Sequence, residues 1–218
     1  MPVPATDMDR TRGRDGAARP VGKEHALRRT LALATLAAAL AVPVLPATAG
    51  EPGGHCVIRL VATGPGTTKG AVAADPVVES CHDTLEQALE AGLGTPLELD
   101  PTASPATLSE QDLAAASGDG ISTTSSDVLL GIEYNEYGYY GASVSYYASS
   151  GCQNTTWEVA YVGNDWNDMF ESGKGFGACD RNRKFEHSNF GGQSKLCTPN
   201  CSDYGYLRNR VSSLRWRD

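Results

Sequence analysis

The spacing of apolar and polar residues changes along this chain. Over residues 55–61, Cys56, Ile58 and Leu60 alternate with polar or smaller residues, the two-residue period of a strand with one buried face. Gly64-Pro65-Gly66 predicts a turn, and Val77-Val78 a short second strand. Leu85, Ala88, Leu89 and Leu93 then recur at helical spacing. Asp83 is the expected N-cap, with Glu86 completing a capping box and Gly92 or Gly94 ending the helix. Residues 99–126 turn to Pro, Ala, Ser, Thr and Gly and read as a linker, mobile over 118–126. Within it, Thr107-Leu108-Ser109-Glu110 can cap a short helix reaching Ala116. From residue 127 the period of two returns, predicting strands over 128–131, 144–147, 157–162 and 213–216. Gly163-Asn164-Asp165 is a turn signal. Gly173-Lys174-Gly175-Phe176-Gly177 reads as a loop, because no helical pattern follows its glycines.

An internal repeat organises the second half. Tyr134, Tyr139, Gly141 and Ser143 recur as Phe185, Phe190, Gly192 and Ser194 at the same spacing. Each set predicts a folded hairpin in which two aromatic rings pack together and the glycine takes a conformation or a space that a side chain would deny. A second element follows each hairpin: Trp166-Asn167-Asp168-Met169-Phe170-Glu171-Ser172, then Leu207-Arg208-Asn209-Arg210-Val211-Ser212-Ser213.

This pairing of an aromatic-x4-aromatic-x-Gly hairpin with a later Asn/Asp-rich element ending in Ser resembles the βγ-crystallin Greek-key motif, over residues 127–218. The resemblance implies a mainly β fold: a two-Greek-key βγ-crystallin-like sandwich at the C-terminus, preceded by a small α+β unit. It also implies a Ca²⁺ site, since hard cations take carboxylate, carbonyl and hydroxyl oxygens. The residues carried over are Asn167, Asp168, Glu171, Asn209 and Ser212. Glu171 stands where the motif has Ser or Thr, and Arg208 where it has Asn or Asp. The alternative is that these residues only cap turns and hold the arches together.

Composition then divides the chain. Residues 1–49 hold an Arg-rich stretch, an apolar run over 31–45 and Ala47-Thr48-Ala49, the pattern of a secretory signal peptide cleaved before Gly50. The apolar run is shorter than the ~20 residues a membrane-spanning helix needs. What remains has 11 Lys/Arg and 22 Asp/Glu, a net charge of −11 against −8 for the whole chain. That excess argues against nucleic acid and anionic membranes as partners. Residues 50–126 contain no Phe, Tyr or Trp, so the domains expected are a small strand–strand–helix unit over 50–98 (a candidate pro-region), the linker over 99–126 and the crystallin-like domain over 127–218. The six cysteines, all beyond the leader, predict three disulfides in an exported protein. Of fifteen pairings the expected one joins sequence neighbours: Cys56–Cys81, Cys152–Cys179 and Cys197–Cys201.

Other chemistry is thin. His55-Cys56 and Cys81-His82 supply a zinc-like ligand count, but adjacent strand residues point to opposite faces, which favours a disulfide with two incidental histidines. His187 replaces Glu136 of the first hairpin and reads as a solvated residue; no nucleophile-elbow Gly-x-Ser-x-Gly occurs. Asn154 and Asn200 sit in glycosylation patterns. The function expected is a secreted, monomeric, non-enzymatic binding protein. Its resemblance to secreted bacterial crystallin-type proteins implies a metalloproteinase inhibitor acting on an extracellular protease, with Cys197-Thr198-Pro199-Asn200-Cys201 as the candidate loop. A Ca²⁺-binding structural module and a killer-toxin-like antifungal protein are the alternatives.

Overall fold

The computed structural model describes residues 54–100, 104–117 and 127–218. The expected leader and the segment 118–126 lie outside the described residues. The elements in chain order are β1 (His55–Pro65), β2 (Ala71–His82), α1 (Leu85–Leu93), α2 (Glu110–Ala116), β3 (Val128–Glu136), β4 (Tyr140–Ala148), β5 (Thr156–Val159), β6 (Ser172–Gly175), β7 (Arg181–His187), β8 (Gly191–Cys197) and β9 (Ser213–Arg217).

The strands form one curled sheet in the order β6-β3-β4-β1-β2-β5-β9-β7-β8. Its two ends are the two repeats. The first repeat supplies β6-β3-β4 and the second supplies β9-β7-β8, all antiparallel. One strand is exchanged in each direction. β5, from the first repeat, pairs with β9 of the second. Cys201, from the second, bridges to Gly173 on β6 of the first. This is the two-Greek-key arrangement expected.

Between the repeats sits the β1–β2 hairpin. β1 runs parallel to β4, and β2 runs parallel to β5. A strand edge is a row of unpaired backbone donors and acceptors, and the hairpin covers one such edge in each half. Cys56 and Cys81 are register partners across it and are joined by a disulfide. The other disulfides are Cys152–Cys179 and Cys197–Cys201, the neighbour pairing expected. A disulfide of this loop size contributes on the order of 2–4 kcal/mol.

Strand alternation directs side chains to two cores. The inner core lies between the facing repeats and holds Ile58, Leu60, Val144, Tyr146, Trp157, Val159, Phe170, Leu214 and Trp216. The outer one covers the far face of β3, β4 and β1, where Val57, Leu129, Ile132, Tyr134 and Tyr147 meet Leu89, Leu97, Leu108 and Leu113. Each of those four leucines is nearly fully buried, which is worth roughly 1.5–3 kcal/mol apiece. Within the stretch expected as a linker, α2 thus packs its Leu113 against the sheet.

Several local expectations are corrected. The N-cap of α1 is Thr84, whose hydroxyl accepts from Gln87 N, rather than Asp83; Gly94, at φ 68°, closes the helix. The expected α2 is present and ends at Ala116; its N-cap is Ser109, within the stretch expected to cap it, and Asp112 completes the capping box. β2 spans twelve residues, because pairing along β1 extends what Val77-Val78 alone suggested. β5 ends at Val159 instead of residue 162. The first three residues of the predicted glycine loop belong to strand β6. Glycine suits it because a Cβ on Gly173 would fall 2.1 Å from the Tyr204 hydroxyl and 2.6 Å from the Glu133 carboxylate. The strand admits no side chain there, so the usual apolar signature of a strand is missing.

Candidate functional site

The two hairpins superimpose in their chemistry. Tyr134 and Tyr139 meet edge-to-face at 5.8 Å, and Phe185 and Phe190 do so at 5.5 Å. Gly141 (φ 74°) and Gly192 (φ 70°) occupy the left-handed region at equivalent places. Tyr139 and Phe190 also have positive φ, which few bulky residues adopt. Each hairpin folds back on itself at a cost that its ring pair offsets.

The Asn/Asp elements lie against these hairpins and show the same duplication. Asp168 (φ 60°) and Asn209 (φ 54°) are equivalent left-handed positions, where short polar side chains are tolerated best. Their backbones interlock reciprocally: Asp168 N donates to Val211 O at 3.1 Å, and Asn209 N to Phe170 O at 3.0 Å.

The five predicted ligands therefore form two clusters instead of one. In the first, the Glu171 carboxylate accepts from Asn209 Nδ2 at 2.6 Å and from Tyr137 N at 3.2 Å. Arg208 stacks on the Tyr137 ring at 4.8 Å while its guanidinium binds both Asp203 oxygens at 2.6 Å. That hydrogen-bonded guanidinium, with a backbone N–H from Gly205, holds Asp203 down at about 2. In the second cluster, Ser212 Oγ donates to Glu186 O at 2.9 Å and lies 3.5 Å from Asp168 Oδ1. Asn167 Nδ2 donates to Asp168 Oδ2 at 2.7 Å, and Arg210 pairs with the Glu186 carboxylate.

Donor chemistry separates the clusters as cation sites. In the first, every carboxylate oxygen already faces a donor: an amide and a backbone N–H on Glu171, and the Arg208 guanidinium on both oxygens of Asp203, so it does not fit a hard cation. The second also turns an amide toward its carboxylate, Asn167 Nδ2 to Asp168 Oδ2, and holds Arg210 against Glu186. It differs in keeping oxygens available: Asp168 Oδ1 has only the Ser212 hydroxyl 3.5 Å away, the Glu186 carbonyl lies beside it, and the Asn167 Oδ1 is buried without a hydrogen-bond partner. Those are the oxygens a Ca²⁺ ion takes. Among the described residues no three His, Cys, Asp or Glu side chains gather as a metal cluster.

The inner core holds a second polar group that the sequence reading missed. Lys184 pairs with Glu133, and the Tyr204 hydroxyl donates to the same carboxylate; all three are fully buried. Glu133 and Lys184 precede Tyr134 and Phe185 by one residue, so they are equivalent positions of the two repeats meeting across the pseudo-twofold. Burial pushes the Glu133 carboxyl up and the Lys184 ammonium down, and each opposes the other's shift. The repeat offset itself could have exposed this pair, because a two-fold axis brings equal positions together.

The fold is mainly β, with two Greek-key repeats joined in one curled sheet. No protein-family description matches the chain, and no curated protein matches it. Solved structures do. A βγ-crystallin from an archaeon is similar over 40% of this chain and 96% of its own, at 24% identity and a TM-score of 0.31. A βγ-crystallin domain from Clostridium beijerinckii is similar over 40% and 97%, at 21% identity and a TM-score of 0.31. One from Flavobacterium johnsoniae is similar over 40% and 92%, at 20% identity and a TM-score of 0.29.

Proposed function

We infer that this chain is a secreted binding protein that inhibits an extracellular metalloproteinase through the loop between Cys197 and Cys201. The observation that carries the reading is the way that loop is held. The disulfide closes it, Pro199 O accepts from Asn182 Nδ2 at 2.8 Å, and Asn200 Oδ1 accepts from Gly175 N at 3.1 Å. Thr198 and Asn200 remain exposed at its crest. A loop already immobilised loses little entropy on entering a cleft, so more of its contact energy appears as affinity. Six paired cysteines suit an oxidising extracellular compartment, and no helix among the described residues is long and apolar enough to cross a membrane. The test is a titration of the purified protein against a thermolysin-type protease. Stoichiometric inhibition that weakens in Thr198→Asp is expected; full protease activity at micromolar excess rejects the reading.

The second cluster favours a further reading, a Ca²⁺-stabilised structural module. Asp168, Ser212 and Asn167 would hold the ion beside the Glu186 carbonyl. Calcium then raises the melting temperature of the parent chain, as mass action requires of a ligand that binds only the folded state. Asp168→Ala removes that rise, and Glu171→Ala leaves it.

A further inference from the structure

The outer face of the second repeat carries a cluster that neither reading uses. On the antiparallel pair β7–β9, Arg181 lies directly opposite Arg217, and Arg183 directly opposite Arg215. Like charges facing each other across a ladder are destabilising. Here two such pairs are adjacent on one face, in a chain whose net charge is −8. Together with Thr68 and Thr156 these four arginines line a cavity of about 240 Å³.

Their partners leave most of that charge uncompensated. Arg215 is taken by Glu158, Nε to Oε1 at 2.7 Å, and packs over the Phe185 and Phe190 rings. It is therefore locked in place. Among the described residues Arg183 reaches only the neutral Ser194 hydroxyl, at 3.0 Å. Arg181 and Arg217 make no ion pair or side-chain hydrogen bond with any described residue. Four guanidinium groups against one carboxylate leave a local charge of +3 around the recess, whose lining also includes Thr156 and Thr68, the latter donating its hydroxyl to Glu158.

The fold does not demand this. At the equivalent places of the first repeat stand Ile132 for Arg183, Lys174 for Arg215 and Phe176 for Arg217. We propose that the cavity is a binding site for a small polyvalent oxyanion, a phosphate or sulfate group carried on a small substituent. Planar guanidinium forks match tetrahedral oxyanions in geometry as well as charge. The volume lies below the ~300–1,000 Å³ of drug-sized ligand pockets, which suits one such group and little more. The acidic remainder of the surface repels an extended polyanion, so the ligand is small or presents a single charged group at a time.

Pyrophosphate is the first probe, titrated calorimetrically into the full secreted chain, with sodium chloride at matched ionic strength as the control. Binding with one site per chain is expected, and a saturating rise in melting temperature that chloride does not reproduce. Arg181→Gln combined with Arg217→Gln weakens binding at least tenfold. Because neither arginine has a partner among the described residues, this variant melts no lower than the parent without ligand, which separates lost binding from lost folding. Lys195→Gln, outside the cavity, binds as the parent does. Glucose 6-phosphate and a sulfated disaccharide form the remaining arms: tighter binding of the first identifies a free phosphate ester as the source, and of the second a sulfated glycan. A pyrophosphate effect no larger than that of matched chloride, or one unchanged in the double variant, overturns the proposal.

Discussion

The two repeats share an arch but treat their outer faces in opposite ways. On the first, Ile132, Tyr134 and Phe176 lie under α1, α2 and the chain around Leu97 and Leu108. On the second, Arg183, Arg215 and Arg217 are half-buried and Phe185 is covered by the Arg215 guanidinium. One equivalence survives the divergence. Lys174 stacks over Tyr139 at 4.9 Å, as Arg215 stacks over Phe190 at 4.7 Å. A cation over the second hairpin ring is therefore a property of the arch, while the covering is a property of each face. The lesson is that the N-terminal segment serves one repeat as a lid and both repeats as a strand bridge. The half left without a lid is the half that carries the arginine-lined cavity.

The strongest way to break this comparison is to remove the lid and bridge together. A chain starting at residue 127 loses β1, β2, both parallel pairings and the whole apolar cover. It should fail to give a cooperative monomeric melt by circular dichroism; a sharp melt from a monomer would show that the crystallin-like half stands alone. Next in size is Glu133→Gln, which strands Lys184 in the shared inner core. Breaking a buried pair costs about 3–5 kcal/mol, so chemical denaturation should show a loss of that order. Replacing both partners with apolar residues should recover much of it. Leu89→Ala tests the lid alone. It should cost about 2–5 kcal/mol, the range for a truncated buried leucine, whereas Arg217→Ala on the uncovered face should change stability by less than about 0.5 kcal/mol.

A smaller effect distinguishes the two stacked cations. Lys174 lies buried under the lid, donating to Ala106 O and Leu108 O at 2.6 and 2.8 Å. Burial lowers its pKa to about 8, partly opposed by Asp112. Between that value and the unfolded value near 10.4, the unfolded chain binds more protons than the folded one, so stability rises with pH across the window. Urea midpoints should therefore increase from pH 8 toward pH 9.5 in the parent. Lys174→Arg, which stays protonated throughout, should remove that increase.

Much of this molecule was legible in the chain. The repeated aromatics and glycines determined the two hairpins, because a backbone turn of that kind and a ring pair at that spacing are local matters. The even cysteine count determined that there would be disulfides, and the short loops each pairing closes favoured neighbours. Helical spacing located α1, though its cap moved by one residue, since Asp83 and Thr84 are both competent caps and only the path of the chain from β2 chooses between them. What tertiary structure decided is everything that depends on distant residues meeting. β6 has no apolar side chain to announce it; it exists by pairing with β3, and Gly173 leaves the space that Glu133 and Tyr204 occupy. Asn167, Asp168, Glu171, Asn209 and Ser212 divide into two clusters because the pseudo-twofold crosses each element to the other hairpin. Arg181 and Arg217 are 36 positions apart in the chain, and only strand register sets them face to face. Local conformational preference acts over a few residues and can be read in order; charge and packing act through space, and the fold alone determines which residues share it.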